Sequence, residues 1–519
     1  MVLICLGAAM LCAAARPGPD YDHYLGWARA FLHGDIFELS GLVLSPSGVP
    51  LSIWSHGTGL IFALGNLVVG DLNTVWQGAV AVGWLASLLF WWAMFQLLHR
   101  ASSGDLPLTL FGLGATFIGT HAGFYSLSHG SESLGYAFGA VLAVLVISRK
   151  PLRLREVLAS GSTAALLVII RPHLAIYAVP ALAVLSVRAV KERSHAGVGR
   201  TGLAIGWLAA SAMIGFFQVA LVNRWMTGDL THSPYVFGSG DFQSMDLAKP
   251  ELLAVLIHPW HGLLVYHPLY AICLAALAVT ILQASSSQKR LVWLAIGALV
   301  LFQLYLQAAW FFWWLGTATL GLRGMGITAV LLVPVLVYAI NNDRHGHVRR
   351  RRVWIVLTVA ACLWSYVLLL QGETSFYVYE ELLAAQAGQL LELMEPRTLL
   401  VLLGTLIASA AAVRWVLLRK RSVDSDRLVK GSAGLLLGLS GAYLMLQLAS
   451  QPLQQGAIFL LLAVLLALAI LAAYAALGRF FERRDLRFGP SELTESAAAW
   501  GVVAVFLVTI PLFVGLALK

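Results

Sequence analysis

Charge is scarce in this chain. Lys, Arg, Asp and Glu make up 11% of its 519 residues, where a soluble domain carries about 25%. So small a charged surface excludes an ordinary water-soluble globule. Cysteine is scarce as well, with four in all. Cys5, Cys12, Cys273 and Cys362 lie in apolar segments with no CxxC or Cys/His spacing, and they read as small packing residues. There is no Walker A loop and no GxGxxG after a strand, so nucleotide-driven transport lacks its parts. Disordered linkers, low-complexity tracts and internal repeats are absent too, and the last absence counts against a secondary transporter. The apolar runs are continuous and do not alternate with polar residues, which excludes an outer-membrane barrel.

What the chain has is apolar sequence. Apolar residues make up 59% of it, in runs of about 15 to 24 that recur from end to end. The expected fold is therefore all-α: a polytopic transmembrane helical protein with about 13–15 spans, set in the lipid bilayer, among them 2–15, 133–148, 156–170, 262–283, 353–370, 397–417, 457–477 and 495–518. The opening MVLICLGAAMLCAAA ends in small residues, as a signal peptide does, but lacks a basic start; it is read as a first span. The segment 52–70 is apolar but interrupted by Ser55, His56, Gly57 and Gly59. It is read as a helix in or dipping into the outer interface, not a span.

The net charge of +9 does not imply a nucleic-acid partner, because most of the basic residues lie in short loops between apolar runs. With the N-terminus inside, 26 of the 34 Lys and Arg fall on the cytoplasmic side, including those in RKPLRLRE (149–156) and RHGHVRRRR (344–352). Counting 52–70 as a span would invert every later loop and put the basic runs outside, so the positive-inside bias decides the matter. Ten of the 14 His then fall on the outer side, as do the longest loops, among them 16–74 and 223–261. The cytoplasmic loops leave no room for a catalytic domain. The loop 371–396 has apolar residues at helical spacing from Tyr379 to Met394 and reads as an amphipathic interfacial helix.

Five outer stretches could carry chemistry. Asp20 and Asp22 precede a run, Tyr24, Trp27, Ala28, Phe31 and Leu32, with the period of a short helix. Either acid could simply cap that helix, or accept a proton from an incoming hydroxyl as a general base. His129 and Glu132 read equally as a solvated turn or as a second contribution to one site. Arg171 and His173 flank Pro172, which breaks the helix. An Arg in so apolar a setting is costly unless paired or interfacial, and it either snorkels to the headgroups or binds a phosphate. His258, His261 and His267 lack a zinc signature; the first two suit a hydrogen bond to phosphate or sugar, and a divalent metal is left open. Trp310, Trp313 and Trp314 fit an aromatic belt. The belt does not account for Arg323, between Gly321 and Gly324, where a guanidinium suits a phosphate ester.

Taken in order, these stretches resemble the GT-C glycosyltransferases, in the branch of protein mannosyltransferases, aminoarabinose transferases and their bacterial relatives. The D-x-x-x-Y-L and A-R-x-x-x-x-G pattern (Asp20, Tyr24, Leu25, Ala28, Arg29, Gly34) is similar to the family's first-loop motif. Ser128 and His129, Arg171 and Pro172, the W-H-G-L-L-x-Y-x-P of 260–268, and Trp313, Trp314, Gly316, Gly321 and Arg323 follow in the same order. The resemblance covers about residues 16–340. It implies a large first external loop, a polyprenyl-phosphate-linked sugar donor and an inverting transfer. Asp20 is then the base, and Arg171, Arg323 and the histidines near 258–261 hold the lipid phosphate. There are departures: Tyr21 stands where relatives often have a second acid, leaving the base shared between Asp20 and Asp22, and Trp-Trp-Leu-Gly replaces the common Trp-Trp-Gly-Gly.

The expectation is a catalytic transmembrane core at 1–340 with external loops 16–74 and 223–261, and C-terminal helices of unassigned role at 341–519. Its place would be a bacterial inner membrane, with the active site on the extracytoplasmic face and a glycan, lipid or protein as acceptor. The alternatives are a transporter or flippase of lipid-linked glycans, which would want charges near span middles, and a glycan ligase.

Overall fold

The computed structural model describes residues 21–33, 56–70, 75–126, 130–148, 154–192, 198–231, 247–257, 262–310, 323–375 and 425–449. Every element among them is helical. In chain order they are α1 (Tyr21–His33), α2 (His56–Val69), α3 (Trp76–Ala101), α4 (Leu106–Gly119), α5 (His121–Tyr125), α6 (Ser131–Ile147), α7 (Leu154–Ile170), α8 (Ala175–Lys191), α9 (Val198–Thr227), α10 (Leu252–Ile257), α11 (Leu263–Tyr266), α12 (Leu269–Leu282), α13 (Ser287–Ala309), α14 (Ala329–Gly346), α15 (Val348–Ser375) and α16 (Ser425–Ala449). Short 3-10 turns precede α8 and α14, at Pro172–Leu174 and Arg323–Thr328. Among the described residues, six helices are long and apolar enough to cross a membrane, and five shorter ones are also apolar. The chain is a polytopic integral membrane protein. The apolar segments expected at 2–15, 397–417, 457–477 and 495–518, and the amphipathic segment of 371–396 from residue 376 on, lie outside the described residues.

Local chemistry sets the helix ends. Asp105 caps α4, its carboxylate accepting from the Leu108 N–H at 3.1 Å, with proline in the first turn, where the missing N–H costs nothing. Ser286 caps α13 in the same way. Pro172 holds Arg171 extended, at φ −147° and ψ 101°, because a residue before proline is pushed out of the helical region. That ends α7 and sends the chain back as α8.

One apolar core runs through the bundle and takes in residues from α1 to α16. α3 packs on α6, α7 on α6 and α9, α12 on α14, and α4 on α15 and α16. The outward faces of α9 and α13 keep large apolar side chains exposed, among them Met213, Phe217, Leu291 and Phe302, as a lipid-facing surface does. α2 is the helix expected at 52–70. It lies against both α1 and α3, and Gly59 lets it meet α1, since a Cβ there would collide with the Cβ of Trp27. Asn66 is fully buried and donates to the carbonyls of Phe62 and Val75 while accepting from the Gly78 N–H. It staples α2 to the start of α3.

The helices put two sets of ends at opposite faces. The seventeen residues of α6 span about 25 Å. Ser131 and Glu132 open it at one face. At the other, Arg100 at the end of α3 donates to the carbonyl of Val144 at 3.1 Å.

Candidate functional site

The first face carries a buried polar cluster that joins three separated stretches of sequence. Tyr24 of α1 hydrogen-bonds through its hydroxyl to Ser131 Oγ at 2.7 Å. Arg171 donates from Nε to the same oxygen at 2.9 Å and from Nη2 to Glu132 Oε1. Ser131 donates to Glu132 Oε2 at 3.3 Å. With the single Ser131 proton given to Glu132, Tyr24 is the donor in its own bond. Tyr24, Ser131 and Glu132 are buried, and the Arg171 side chain is 17% exposed.

This pairing bears on two residues that the sequence singled out. Arg171 does not stand alone; a carboxylate neutralises it, as a guanidinium in apolar surroundings requires. Glu132 is no solvated helix-start acid: it lies in the first turn of α6 and turns inward to the ion pair. Neither its burial nor its partner follows from its place in a polar loop. His173, two residues after Arg171, has a buried Nε2 with no hydrogen-bond partner among the described residues.

A second cluster lies across Tyr136, which is in electrostatic reach of Glu132, Arg171 and Tyr270. His121 and His267 are buried with ring centroids 4.0 Å apart. His121 Nδ1 is 3.4 Å from the Tyr270 hydroxyl, which donates to the Met325 carbonyl at 3.3 Å. Since Tyr270 spends its proton on Met325, the His121 proton belongs on Nδ1. Burial, and then the neighbouring His267, hold the pKa of His121 well below the usual histidine value, so the ring is neutral.

The backbone that follows Arg323 is fixed by this cluster. Gln303 Nε2 donates to the Gly324 carbonyl at 3.0 Å, Tyr270 takes the Met325 carbonyl, and a Cβ on Gly326 would strike the Tyr136 hydroxyl. The turn that begins at Arg323 is therefore clamped from α6, α12 and α13.

Of the residues singled out from sequence, the structure brings Glu132 and Arg171 into direct contact. Asp22 is the second residue of α1 and Arg323 opens the 3-10 turn; the description of both is confined to the backbone. Asp20, His129, His258 and His261 lie outside the described residues. Sequence reasoning passed over Tyr24 (read only as a helix-face and motif residue), Ser131, Tyr136, Tyr270 and Gln303. The usable signal was polarity in an apolar run, as at Gln303 and Gln307. Among the described residues, no three His, Cys, Asp or Glu are grouped to hold a metal, and the ring against His267 is that of His121.

Two cavities, of about 570 and 230 Å³, lie at the opposite face, around Asp105 and Arg344.

No family model matches the chain, and no curated protein matches it. Among solved structures it is similar to ArnT from Cupriavidus metallidurans, in the apo state at 13% identity and a TM-score of 0.45. It is similar to the same protein bound to undecaprenyl phosphate at 14% identity and a TM-score of 0.46. Each alignment covers 85% of this chain and 75% of the other.

Proposed function

We propose that the chain is a GT-C-type membrane glycosyltransferase that moves a sugar from a polyprenyl-phosphate donor to an acceptor hydroxyl on the extracytoplasmic side. The acceptor is a glycan, a lipid or a protein. The observation that carries this reading is the bond from Tyr24 to Ser131, and through Ser131 to the Arg171–Glu132 pair. It ties the helix that follows Asp20 and holds Asp22 in its first turn to a cation. Base and cation are the two groups that transfer from a lipid phosphate needs, and the ordered motifs of the sequence place both within one stretch, 16–340.

In the proposed reaction the acceptor oxygen attacks the anomeric carbon as the bond from that carbon to the phosphate oxygen breaks. The acceptor proton passes to Asp20 or Asp22. Polyprenyl phosphate leaves with the bonding electrons, and a single displacement inverts the anomeric centre. Arg171 and Arg323 stabilise the charge that develops on the leaving oxygen, with His129, His258 and His261 as further phosphate or sugar contacts. Glu132 acts through Arg171: it fixes the guanidinium plane and offsets the cost of holding that charge in apolar surroundings.

The flippase alternative looks for charge at mid-membrane. The Glu132–Arg171 pair sits where α6 begins and α7 ends, which favours chemistry at the surface.

The test is transfer by purified protein. Supplied with polyprenyl-phosphate sugars and envelope acceptors, it should release polyprenyl phosphate; Asp20→Asn or Asp22→Asn should cut release about 10²-fold or more while the protein stays folded. If both Asn variants keep full activity, the base assignment is wrong. Sugar crossing sealed vesicles with no new bond made would replace the transferase by a transporter.

A further inference from the structure

At the face opposite the proposed site, three elements meet around a polar cleft. The turn from Ser102 to Asp105 forms one wall, the end of α14 at Asn341, Asn342 and Arg344 a second, and the start of α16 a third. Arg344 bridges the outer walls: Nη1 pairs with Asp105 at 3.2 Å and Nη2 with Asp426 at 2.8 Å. Asp426 takes a second guanidinium, Arg351 Nη1, at 2.7 Å.

The cleft's acids are spent. Asp105 gives Oδ1 to the Leu108 N–H and Oδ2 to Arg344. Asp426 gives Oδ1 to Arg351 and Oδ2 to Arg344. All four carboxylate oxygens have donors, so the cleft does not call for a cation. What it presents is donors. Arg344 uses two of the five N–H groups of a guanidinium in its ion pairs, and its side chain stays 37% exposed. Asn342 and Lys430 are exposed on the rim. The flanking segments 341–352 and 425–430 hold seven Lys or Arg against two Asp.

Depth in the membrane fixes the kind of anion. α4 begins at Leu106, and the apolar span Gly324–Arg344 ends at Arg344, so the cleft lies where hydrocarbon gives way to headgroups. Pro107 adds a part-exposed apolar edge beside the donors. A phosphate with an apolar tail suits both the donors and this depth; a free phosphate leaves the edge bare. We infer that this cleft is a headgroup site for an anionic glycerophospholipid, seated between α4, α14 and α16 with its phosphate on Arg344 and Lys430.

The test uses the full chain, purified in neutral detergent and titrated with phosphatidylglycerol, phosphatidylethanolamine or phosphatidylcholine, with bound lipid counted by native mass spectrometry. Wild type should retain phosphatidylglycerol preferentially. Lys430→Glu should lower that retention at least about fivefold, the factor one basic residue near a membrane surface is worth, and Asn342→Leu should lower it less. Both side chains are exposed, so the helical content should not change. Lys191→Glu, at the same face on α8, is the control for unspecific attraction and should leave retention as in wild type. Any of four results overturns the site: full retention by Lys430→Glu, equal loss in Lys191→Glu, equal retention of the zwitterionic lipids, or displacement by inorganic phosphate at lipid-equivalent concentration.

Discussion

Glu132 and Arg171 are each expensive alone and tolerable together. Glu132→Ala leaves a guanidinium in largely apolar surroundings, and breaking a buried pair costs about 3–5 kcal/mol. The 17% exposure of Arg171 places the expected loss near the lower end, measured as the shift in a reversible denaturation midpoint in detergent. The double replacement Glu132→Leu with Arg171→Met removes both charges and should recover most of that stability while transfer stays lost. Recovery of activity with stability would make the pair purely structural. Tyr24→Phe removes one hydroxyl from a 2.7 Å bond and should cost about 1 kcal/mol. At this scale the sequence announces cost without naming the partner. Arg171 in VIIRPHL demands an acid, but the acid is 39 residues away and the tyrosine that joins the network is 107 positions from Ser131. Asn66 was equally opaque: its three bonds go to Phe62, Val75 and Gly78, and only the meeting of α2 with α3 makes it a staple.

Helices were legible where hydropathy and helix coincide. The expected spans at 133–148 and 156–170 match α6 and α7 to within two residues at each end. They parted where a helix outruns the membrane. A span expected at 353–370 is the middle of α15, which begins at Val348 and runs through four consecutive arginines, because arginine ends a hydrophobic run but favours a helix. In the other direction, the segment at 262–283 breaks at His267 and Pro268 into α11 and α12, as a proline without a donor requires. The docking of α1 on α2 depends on Gly59, whose added Cβ would overlap Trp27. Gly59→Val should therefore separate the helices and cost about 1–3 kcal/mol, with Trp27 becoming accessible to an aqueous quencher. Gly206→Ala, on α9 where an added Cβ meets nothing, should be neutral or stabilising by up to about 1 kcal/mol. Equal effects of the two substitutions would remove the close-approach argument.

At the scale of the whole molecule, the described residues of the two faces differ in what they hold: buried tyrosines, histidines and the Glu132–Arg171 pair at the first, arginine-rich ion pairs at the second. The second face attaches α16 to the core, and its pH response has a definite sign. Burial pushes the Asp426 carboxyl up, but the hydrogen bonds from Arg351 and Arg344 outweigh it and hold the pKa below the usual 3.8. A depressed carboxyl contributes its stability above the unfolded value and loses it as pH falls through the folded one. Spin labels on α16 and on α4 should keep a fixed separation from neutrality down to about pH 4 and move apart only below it; separation near pH 6 would assign the attachment to another group. The faces also imply an orientation, since Arg and Lys crowd the second. In a protein lacking all four cysteines, a single cysteine at Gly346, exposed at the end of α14, should react with an impermeant thiol reagent only from the cytoplasm. One at Thr231, exposed beyond the far end of α9, should react only from outside. The reverse pattern would set the Glu132–Arg171 cluster in the cytoplasmic leaflet, and a donor presented at the outer surface could not reach it.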